Sequence, residues 1–517
     1  MLDPLGDRTL TDVLEERTEA YGDRTFLVFE DGDERISELT YDEFAAEVRR
    51  CASGLAERDV GRGDRVVVHL RNCPEVLISW FAAARLGAVF VPSNVANTAG
   101  ELVHILSVTK AKLAITEPRL LEPVQQAVSA CGDATEIVVA RGDGDGLATF
   151  ADLLAHGDAA PRAAVASTDL VELICTSGTT RKPKAVMLTH ANCVRGGLDS
   201  VHCLWMEEGE RCLTALPLFH VNAQSMSVMA ALTVGGTLIL IEEFRASRFW
   251  GQVRRHRATQ TALVAMQLRT LLAQPPDDGD AEHDVKRLFY AINVTDDEKA
   301  RFEARYAVTL ISGYGLSEAM TLLACAPVVG PRRWPSMGLP SPGRRLSLLD
   351  ENGNEVGPRE VGEIVAEGTP GRDIMLGYLD DAEATAATLR DGRLYTGDNA
   401  WADEQGFLYF FDRKKDMIKR AGENVAALEV EGALLEHPDI AEAAVFGVPD
   451  AIRDEAVAAV VVATGLSAED VIEHCREHLA KFKVPTIVQF TDELPKTAIG
   501  KVRKDVLRKQ YAETAKG

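Results

Sequence analysis

A single short loop in the first half of the chain combines hydroxyl, glycine and lysine side chains. Residues 176–185 contain four Ser or Thr residues, a glycine, Lys182 and Lys184, and they follow an apolar run at 171–175. Hydroxyl and backbone N–H groups donate hydrogen bonds to phosphate oxygens, and lysines neutralise phosphate charge. The apolar run predicts a buried strand, and a helical segment is expected from Leu188. The loop therefore predicts a site for a polyphosphate.

This loop is not of the Walker type, because no second glycine stands between Gly178 and either lysine. A polar surface turn is the alternative, since clusters of Ser, Thr and Gly are usually turns. On the loop alone the two interpretations are evenly matched, and other motifs of the chain decide between them.

Length and composition limit the class of protein. A chain of 517 residues exceeds a single core, so about two to four domains are expected. The net charge of −23 argues against a nucleic-acid or membrane partner. Nine cysteines without CxxC spacing indicate reduced thiols rather than disulfides or zinc. With no signal segment and no apolar run of membrane length, the sequence predicts a cytoplasmic protein.

The order of strand and helix patterns predicts an α/β fold. Alternating units between residues 64 and 140 favour parallel, doubly wound sheets, and shorter strands after about residue 330 indicate a β-rich subdomain. The charged segment 412–416 then precedes a compact α/β pattern, and we interpret it as a hinge. That pattern has helices at 427–437 and 468–481 and strands at 441–447, 455–463 and 486–490.

Five further segments carry more polar, aromatic and glycine residues than their surroundings require. They are residues 217–222, 312–318, 395–398, 421–424 and 495–501. In this order, and together with the phosphate loop, they resemble the adenylate-forming superfamily of acyl-CoA synthetases, nonribosomal-peptide adenylation domains and luciferases. The resemblance covers nearly the whole chain, so coincidence of single motifs does not explain it.

The resemblance implies both a fold and a reaction. It implies a large N-terminal adenylate-forming domain, residues 1–413, with two doubly wound sheets and a β-rich subdomain, and a small mobile α+β C-terminal domain, residues 414–517. Such enzymes use ATP and Mg²⁺ to join a carboxylate to AMP with loss of pyrophosphate, and acyl-CoA synthetases then transfer the acyl group to CoA. The chain is thus expected to be an ATP-dependent carboxylate:CoA ligase acting on a small molecule, and a homodimer is compatible with this expectation.

Catalytic roles follow from the resemblance motif by motif. Lys501 would bridge the attacking carboxylate and the α-phosphate. His220 would form the gate between the ATP and acyl sites, and Lys415 would lie at the hinge. Glu318 would organise Mg²⁺, a hard cation that prefers oxygen ligands, together with Thr179.

The resemblance also implies which residues hold ATP and CoA. Tyr314 would pack on the adenine, Asp398 would accept hydrogen bonds from both ribose hydroxyls, and Arg413 would assist at the ribose. The full set implied to contact these cosubstrates is Thr176, Ser177, Gly178, Thr179, Thr180, Lys184, Asn293, Gly313, Tyr314, Gly315, Ser317, Asp398, Arg413, Lys419 and Gly422.

Each of these residues has a simpler structural alternative. Lys501 and Lys415 lie in charged stretches, which are usually only solvated. Taken alone, His220 favours a buried core histidine whose hydrogen bonds are satisfied. Glu318 has the alternative of capping a helix, and Asp398 that of an ordinary turn residue.

The chain departs from the family pattern in two places. Arg181 and Ala185 stand where the family has glycine; if Arg181 adopts positive φ, strain of about 1–2 kcal/mol and slower adenylation are expected. Residues 291–294 replace a Gly-Gly-Ala turn and, with residues 295–299 and 332–338, resemble the crotonobetaine/carnitine-CoA ligase branch.

The substrate and the acyl acceptor stay open. No acidic residue of the pocket segments is evident to pair with cationic carnitine, and Asn222, Gln224 and Ser225 favour a polar acyl pocket. A bulky oxygenated carboxylate, as in platensimycin-type diterpenoid antibiotic biosynthesis, would suit such a pocket. Two alternatives are a standalone acyl-AMP ligase that loads a carrier-protein pantetheine and a non-catalytic acyl-adenylate or nucleotide-binding protein.

Overall fold

The structure is a computed structural model that describes residues 6–132, 134–157, 162–176, 184–285, 287–291, 294–413, 416–420, 423–450, 454–479, 481–497 and 502–514. The chain divides into two compact units. Unit 1 comprises Met1–Arg345 and Ala366–Leu394, and unit 2 comprises Leu346–Val365 and Tyr395–Gly517. The predicted mixed α/β class is confirmed. The predicted hinge boundary between residues 413 and 414 stays a prediction, because a division into compact units does not test movement.

The elements are numbered in chain order. The helices are α1 (Leu10–Tyr21), α2 (Tyr41–Ala56), α3 (Pro74–Leu86), α4 (Ala99–Thr109), α5 (Leu121–Ala130), α6 (Phe150–Leu154), α7 (His190–Leu204), α8 (Val221–Ala223), α9 (Ala230–Thr233), α10 (Ala246–Arg255), α11 (Ala265–Leu272), α12 (Asp296–Tyr306), α13 (Ala382–Thr388), α14 (Ala427–Leu435), α15 (Ala468–His478) and α16 (Lys504–Thr514). Short 3₁₀ turns form at Pro118–Leu120 and Ser317–Ala319, and a π-helix at Gln224–Met229.

The strands of unit 1 up to the first crossing into unit 2 are β1 (Thr25–Glu30), β2 (Ile36–Thr40), β3 (Arg65–His69), β4 (Val89–Pro92), β5 (Leu113–Thr116), β6 (Glu136–Val139), β7 (Ala148–Thr149), β8 (Leu170–Thr176), β9 (Lys184–Thr189), β10 (Arg211–Thr214), β11 (Thr237–Ile241), β12 (Gln260–Val264), β13 (Arg287–Ala291), β14 (Thr309–Leu316), β15 (Thr321–Cys325) and β16 (Leu339–Pro340). The remaining strands are β17 (Arg345–Leu349), β18 (Gly362–Glu367), β19 (Gly377–Tyr378), β20 (Leu389–Arg390), β21 (Arg393–Ala402), β22 (Leu408–Arg413), β23 (Ile418–Arg420), β24 (Glu423–Val425), β25 (Ile440–Asp450), β26 (Asp454–Ala463) and β27 (Ile487–Phe490).

Unit 1 contains two large sheets. An eight-stranded sheet has the order β19-β9-β8-β4-β3-β5-β6-β7, parallel from β8 to β7 and antiparallel at the β9 and β19 edge. A nine-stranded sheet has the order β16-β15-β14-β13-β12-β10-β11-β1-β2, parallel from β14 to β1. Central strands such as β5 are buried along their whole length, as expected for parallel sheets covered on both faces. The predicted parallel, wound sheets are therefore confirmed.

Unit 2 contains the C-terminal sheet β24-β23-β26-β25, with β27 beside β26. Helices α14 and α15 contribute Val430, Leu434 and Val471 to a buried cluster with this sheet. Leu507 of α16 belongs to a second cluster with residues of β25 and β26. The predicted pattern of helices and strands after residue 427 is confirmed, and β25 runs further than predicted, to Asp450. Strands β17, β18, β21 and β22 form another sheet.

The helix predicted from Leu188 begins later in the structure. Strand β9 extends through Thr189, because it pairs with β8 along its full length. Thr189 then caps α7: its hydroxyl accepts from the backbone of Asn192, whose side chain accepts from the backbone of Thr189. The phosphate loop therefore joins two antiparallel strands rather than a strand and a helix.

Two expectations from composition concern cysteines and membrane spans. All nine cysteines are free thiols and seven of them are buried, which confirms the prediction of unpaired, mostly buried cysteines. In the part of the chain that the structure describes, no helix combines the length and apolarity that a membrane span requires.

A buried carboxylate between two guanidinium groups ties α7 to the rest of unit 1. Asp199 accepts from Nε of Arg195 at 2.7 Å and forms an ion pair with Arg344 at 2.8 Å. Arg344 also donates to the carbonyl oxygens of Ala319 and Asp373. The Arg344 and Asp199 side chains are only 1% and 2% exposed, so each charge depends on its partner for stabilisation.

Asp199→Asn should destabilise unit 1 by about 3–5 kcal/mol, because Arg344 loses its buried counter-charge and Arg195 keeps only its ion pair with Asp373. Four of the five tryptophans lie in unit 1, so denaturant unfolding followed by tryptophan fluorescence reports mainly on this unit. The matched control is Asp297→Asn, which breaks an exposed ion pair with Arg301 and should leave the transition almost unchanged. Equal transitions for the two variants would contradict the role assigned to Asp199.

Strand β8 carries a second buried carboxyl group, that of Glu172. Its Oε1 lies 2.6 Å from Nε2 of Gln224, and its Oε2 lies 3.8 Å from Sγ of Cys193. Burial raises the pKa of Glu172 to about 8, although the hydrogen bonds from Gln224 and Cys193 oppose the shift. The group is therefore largely protonated in the folded protein at neutral pH.

Glu172→Gln should remove a pH dependence of stability. Because the folded-state pKa is raised, the folded protein holds a proton that the unfolded chain releases above pH 4.5. Wild type should thus lose stability relative to the variant as pH rises from 5 to 8, by about 1.4 kcal/mol per pH unit, and the difference should level off above that range. Unfolding of both proteins across this range measures it, and a constant difference would show that Glu172 is ionised throughout.

Candidate active site

The ends of the phosphate loop are fixed by strand pairing. Thr176 and Lys184 are register partners at the end of the β8–β9 hairpin, and the Thr176 hydroxyl donates to the Lys184 carbonyl at 3.4 Å. Ala185 is buried in β9 in extended backbone, a conformation that any residue adopts, so a glycine is not required there. Among the predicted phosphate ligands, Ser177, Gly178, Thr179 and Thr180 lie outside the described residues, as does Arg181.

One tyrosine joins the predicted phosphate lysine to the predicted metal ligand. The Tyr378 hydroxyl donates to Oε1 of Glu318 at 2.8 Å, and Nζ of Lys184 lies 4.8 Å from the centroid of the Tyr378 ring. Burial and the neighbouring Glu318 raise the pKa of Tyr378 above its usual value, so its hydroxyl stays a donor. The structure thus brings Lys184 and Glu318 together through a residue that the sequence did not single out.

The backbone around Glu318 forms a short turn and not an α-helix. Glu318 lies in the 3₁₀ turn Ser317–Ala319, so the alternative of a helix cap does not apply. Its carbonyl accepts from the backbone N–H of Met375 at 2.7 Å, and the Ala319 carbonyl accepts from Arg344 at 3.1 Å. In the described part of the chain no second hydrogen bond to the Glu318 carboxylate occurs, which leaves Oε2 for a hard cation such as Mg²⁺. The residues present therefore fit that cation.

Three of the residues predicted to hold ATP, including the adenine residue Tyr314, lie on one strand. Strand β14 continues through Gly313, Tyr314 and Gly315, with a bulge against β15 between Tyr314 and Gly315. A Cβ at Gly313 would come within 2.7 Å of Phe289, so only glycine fits this close approach. Ser317 starts the turn that carries Glu318. These residues therefore share one continuous segment with the predicted metal ligand, whereas Asn293 lies outside the described residues.

Residues 220–227 place several buried polar atoms without partners in one short segment. Nε2 of His220, Oδ1 of Asn222, Oε1 of Gln224 and Oγ of Ser227 have no hydrogen-bond partner among the residues that the structure describes. Burial lowers the pKa of His220 to about 4, so its imidazole is neutral at pH 7. Ser225, in contrast, donates to the Val221 carbonyl at 2.6 Å. Unpaired buried polar atoms are costly, and a bound ligand or water would satisfy them.

Unit 2 brings two predicted ribose residues into register. Asp398 on β21 is the antiparallel partner of Arg413 on β22. Asp398 is buried, and Gly397 before it has φ of +72°, a backbone conformation that favours glycine. Lys419 lies on β23 opposite Asn424 of β24.

Three further predicted residues lie outside the described residues, so the structure assigns them no position. They are Lys501, Lys415 and Gly422. The sequence analysis did not predict a role for Tyr378 or for Glu172. Tyr378 follows a glycine in a segment that carries no recognised motif, and Glu172 is a single polar residue in an apolar strand. A glutamate within a run that is otherwise apolar is the one signal that pointed to a buried carboxyl group.

Comparison with known proteins places the chain in a family. The AMP-binding enzyme family matches residues 14–379, and the AMP-binding enzyme C-terminal domain matches residues 429–501. The crotonobetaine/carnitine–CoA ligases of Citrobacter koseri and Escherichia coli O8 are each 34% identical to this chain, over 98% of it and 100% of the relative.

Solved structures of similar proteins cover the same length. The anthranilate CoA ligase AuaEII in complex with anthranoyl-AMP aligns with a TM-score of 0.89 and 25% identity, over 100% of this chain and 99% of that chain. ATP-bound MatB from Rhodopseudomonas palustris aligns with a TM-score of 0.86 and 27% identity, over 97% and 99%. The resemblance deduced from the motifs, including the crotonobetaine/carnitine branch, is thereby confirmed. The chain belongs to the AMP-binding enzyme family and is an acyl-CoA synthetase of the adenylate-forming superfamily.

Proposed function

We propose that this protein activates a small-molecule carboxylate with MgATP and transfers the acyl group to CoA. The observation that carries the proposal is the group formed by Lys184, Tyr378 and Glu318 beside the ends of the phosphate loop. A cation for phosphate oxygens and a carboxylate for a metal are the two groups that adenylation requires at the polyphosphate. The names of the relatives, all CoA ligases, support the same reaction.

In the first half-reaction, a carboxylate oxygen would attack the α-phosphorus of ATP, and the bond to pyrophosphate would break. Thr176 and Lys184, with the loop between them, would hold the β- and γ-phosphates. Glu318 would hold Mg²⁺, which when bound neutralises phosphate charge. Lys501 would offset the charge that develops between the carboxylate and the α-phosphate. The products are acyl-AMP and pyrophosphate.

In the second half-reaction, the CoA thiol would attack the acyl carbon, lose its proton and release AMP. We assign Asp398 and Arg413 to the ribose, and Lys419 and Gly422 to the path of the pantetheine arm. Rotation about Lys415 would withdraw Lys501 after adenylation, since one pocket must serve two reactions that need different groups.

The acyl group is proposed to carry hydrogen-bonding groups. His220, Asn222 and Gln224 are neutral polar residues with buried unpaired atoms in one segment, and such atoms favour an oxygenated ligand over a plain alkyl chain. Glu172, largely protonated, offers no buried anion for a quaternary ammonium group. A role in the biosynthesis of an oxygenated secondary metabolite, such as an antibiotic, suits this lining. Transfer to a carrier-protein pantetheine instead of CoA would use the same adenylation site.

Purified protein incubated with ATP, Mg²⁺, CoA and a panel of carboxylates should produce AMP, pyrophosphate and one or more acyl-CoA thioesters. Lys501→Ala should lower acyl-AMP formation by about a hundredfold or more, because developing charge loses its counter-ion, while transfer from pre-made acyl-AMP to CoA continues. Mass spectrometry of both half-reactions measures these rates.

The matched control for this experiment is Lys496→Ala, since Lys496 is a lysine of the same C-terminal unit that pairs with Glu442 at 2.7 Å. It should leave both half-reactions near wild type. Acyl-AMP that accumulates in the presence of CoA would indicate a carrier-protein acceptor. Loss of both half-reactions in Lys501→Ala, with the control active, would contradict the assigned role.

Asn222→Ala should lower kcat/KM for oxygenated carboxylates by about tenfold, the effect of one lost hydrogen bond, and leave alkyl carboxylates of the same length unaffected. Pairs of substrates that differ by one hydroxyl or keto group provide the internal control. Steady-state rates with both members of each pair measure the effect. An equal loss for both members would show that Asn222 shapes the protein and does not contact the acyl group.

A further inference from the structure

Tyr378 contacts both of the charged side chains assigned to the polyphosphate and its metal. Its hydroxyl lies 2.8 Å from Oε1 of Glu318, and its ring centroid lies 4.8 Å from Nζ of Lys184. A phenol that donates to a carboxylate forms a charge-assisted hydrogen bond, which is stronger than a neutral one. A ring face within about 6 Å of an ammonium group attracts it. One aromatic side chain thus contacts groups of opposite charge with two different parts of its surface.

The backbone around Tyr378 is fixed on three sides. Strand β19 pairs with β9, with Tyr378 opposite Val186, so it runs beside the strand that begins with Lys184. The N–H of Met375 donates to the Glu318 carbonyl at 2.7 Å, and the N–H of Tyr378 donates to the Thr385 hydroxyl at 2.9 Å. The segment therefore binds the backbone of Glu318 and of β9, and the Tyr378 side chain is buried between them and Thr385.

The hydrogen bond from Tyr378 engages one oxygen of the Glu318 carboxylate and leaves the other available for a metal ion. It occupies Oε1 and fixes the plane of the carboxylate, while Oε2 makes no hydrogen bond in the described part of the chain. Lys184 has no acidic partner within ion-pair distance among the described residues, so its ammonium group keeps its charge for an anion. The phenol therefore holds one oxygen of the Glu318 carboxylate, while its ring face contacts the ammonium group of Lys184.

We infer that Tyr378 is a positioning residue that orients Glu318 through its hydroxyl and Lys184 through its ring, so that the site binds the magnesium complex of ATP in preference to metal-free ATP. The inference rests on the proposed function, because it takes the polyphosphate of ATP as the ligand. Tyr378 itself acts through the two charged residues: its hydroxyl supports the metal side of the site through Glu318, and its ring supports the phosphate side through Lys184.

Two substitutions separate the two contacts. Tyr378→Phe keeps the ring beside Lys184 and removes the hydrogen bond to Glu318. It should weaken binding of MgATP by about tenfold, the effect of one charge-assisted hydrogen bond, and change binding of ATP in EDTA by less than about twofold. Tyr378→Leu removes both contacts and should weaken binding of both forms. Isothermal titration calorimetry of the full chain, without carboxylate so that ATP is not consumed, measures these affinities.

A double-mutant cycle tests whether the hydroxyl acts through Glu318. Tyr378→Phe in the Glu318→Gln background should cause no further loss of MgATP affinity, because the charged acceptor is already absent. The matched control is Tyr306→Phe, which removes another buried tyrosine hydrogen bond, to the Leu271 carbonyl at 2.9 Å, and should leave both affinities unchanged. Thermal unfolding of each variant confirms that it is folded.

The outcomes distinguish this inference from the proposed function. Wild-type affinity for MgATP in Tyr378→Phe would show that the tyrosine only fills the core. Equal losses for MgATP and metal-free ATP in that variant, or additive losses in the double mutant, would show that the hydroxyl does not act through Glu318. Absence of ATP binding by the wild-type protein, in contrast, would contradict the proposed function itself.

Discussion

The buried ion pairs of Asp199 with Arg195 and Arg344 are the constraint on which the site in unit 1 depends. Arg344 is almost fully buried, and besides Asp199 it binds the carbonyl oxygens of Ala319 and Asp373. Arg344, paired with Asp199 of α7, thereby fixes both the turn that carries Glu318 and the start of the segment that reaches Tyr378. Buried charges cost solvation energy unless they are paired, so this arrangement specifies one geometry and penalises the loss of any partner.

Residues 375–379 connect the turn that carries Glu318 to the strand that follows the phosphate loop. Their backbone N–H groups donate in turn to Glu318, to Met187 and, from Leu379, to Ala185. Strand β19 therefore closes the edge of the eight-stranded sheet beside the strand that follows the loop. Without β19, β9 would be the edge strand of this sheet and would offer unpaired backbone groups. The two residues of β19 pair with it and so fix its position relative to residues 375–379. The positions of a lysine and a glutamate far apart in sequence are set by one short piece of extended chain.

The sequence was sufficient for features that depend on local pattern. Apolar runs predicted β3 to β6, and motif order predicted the family. It was insufficient where tertiary pairing decides: β9 replaces the expected start of a helix because β8 is available as a partner. Tyr378 was missed because Glu318 lies 60 residues away, and the ion pair of Asp199 with Arg344 was missed because these residues lie 145 positions apart.

The ionisation states within unit 1 favour a substrate carboxylate that stays reactive. Burial keeps His220 neutral and Glu172 largely protonated at pH 7, whereas Lys184 contacts the face of the Tyr378 ring and Glu318 accepts a hydrogen bond from the Tyr378 hydroxyl. An ammonium or imidazolium group along the acyl segment would bind the carboxylate tightly in the ground state and lower its nucleophilicity. In the proposed reaction, neutral donors and acceptors would instead orient the acyl group without neutralising the attacking oxygen. The positive charge that catalysis needs would then act at the phosphates, because negative charge on their oxygens increases in the transition state.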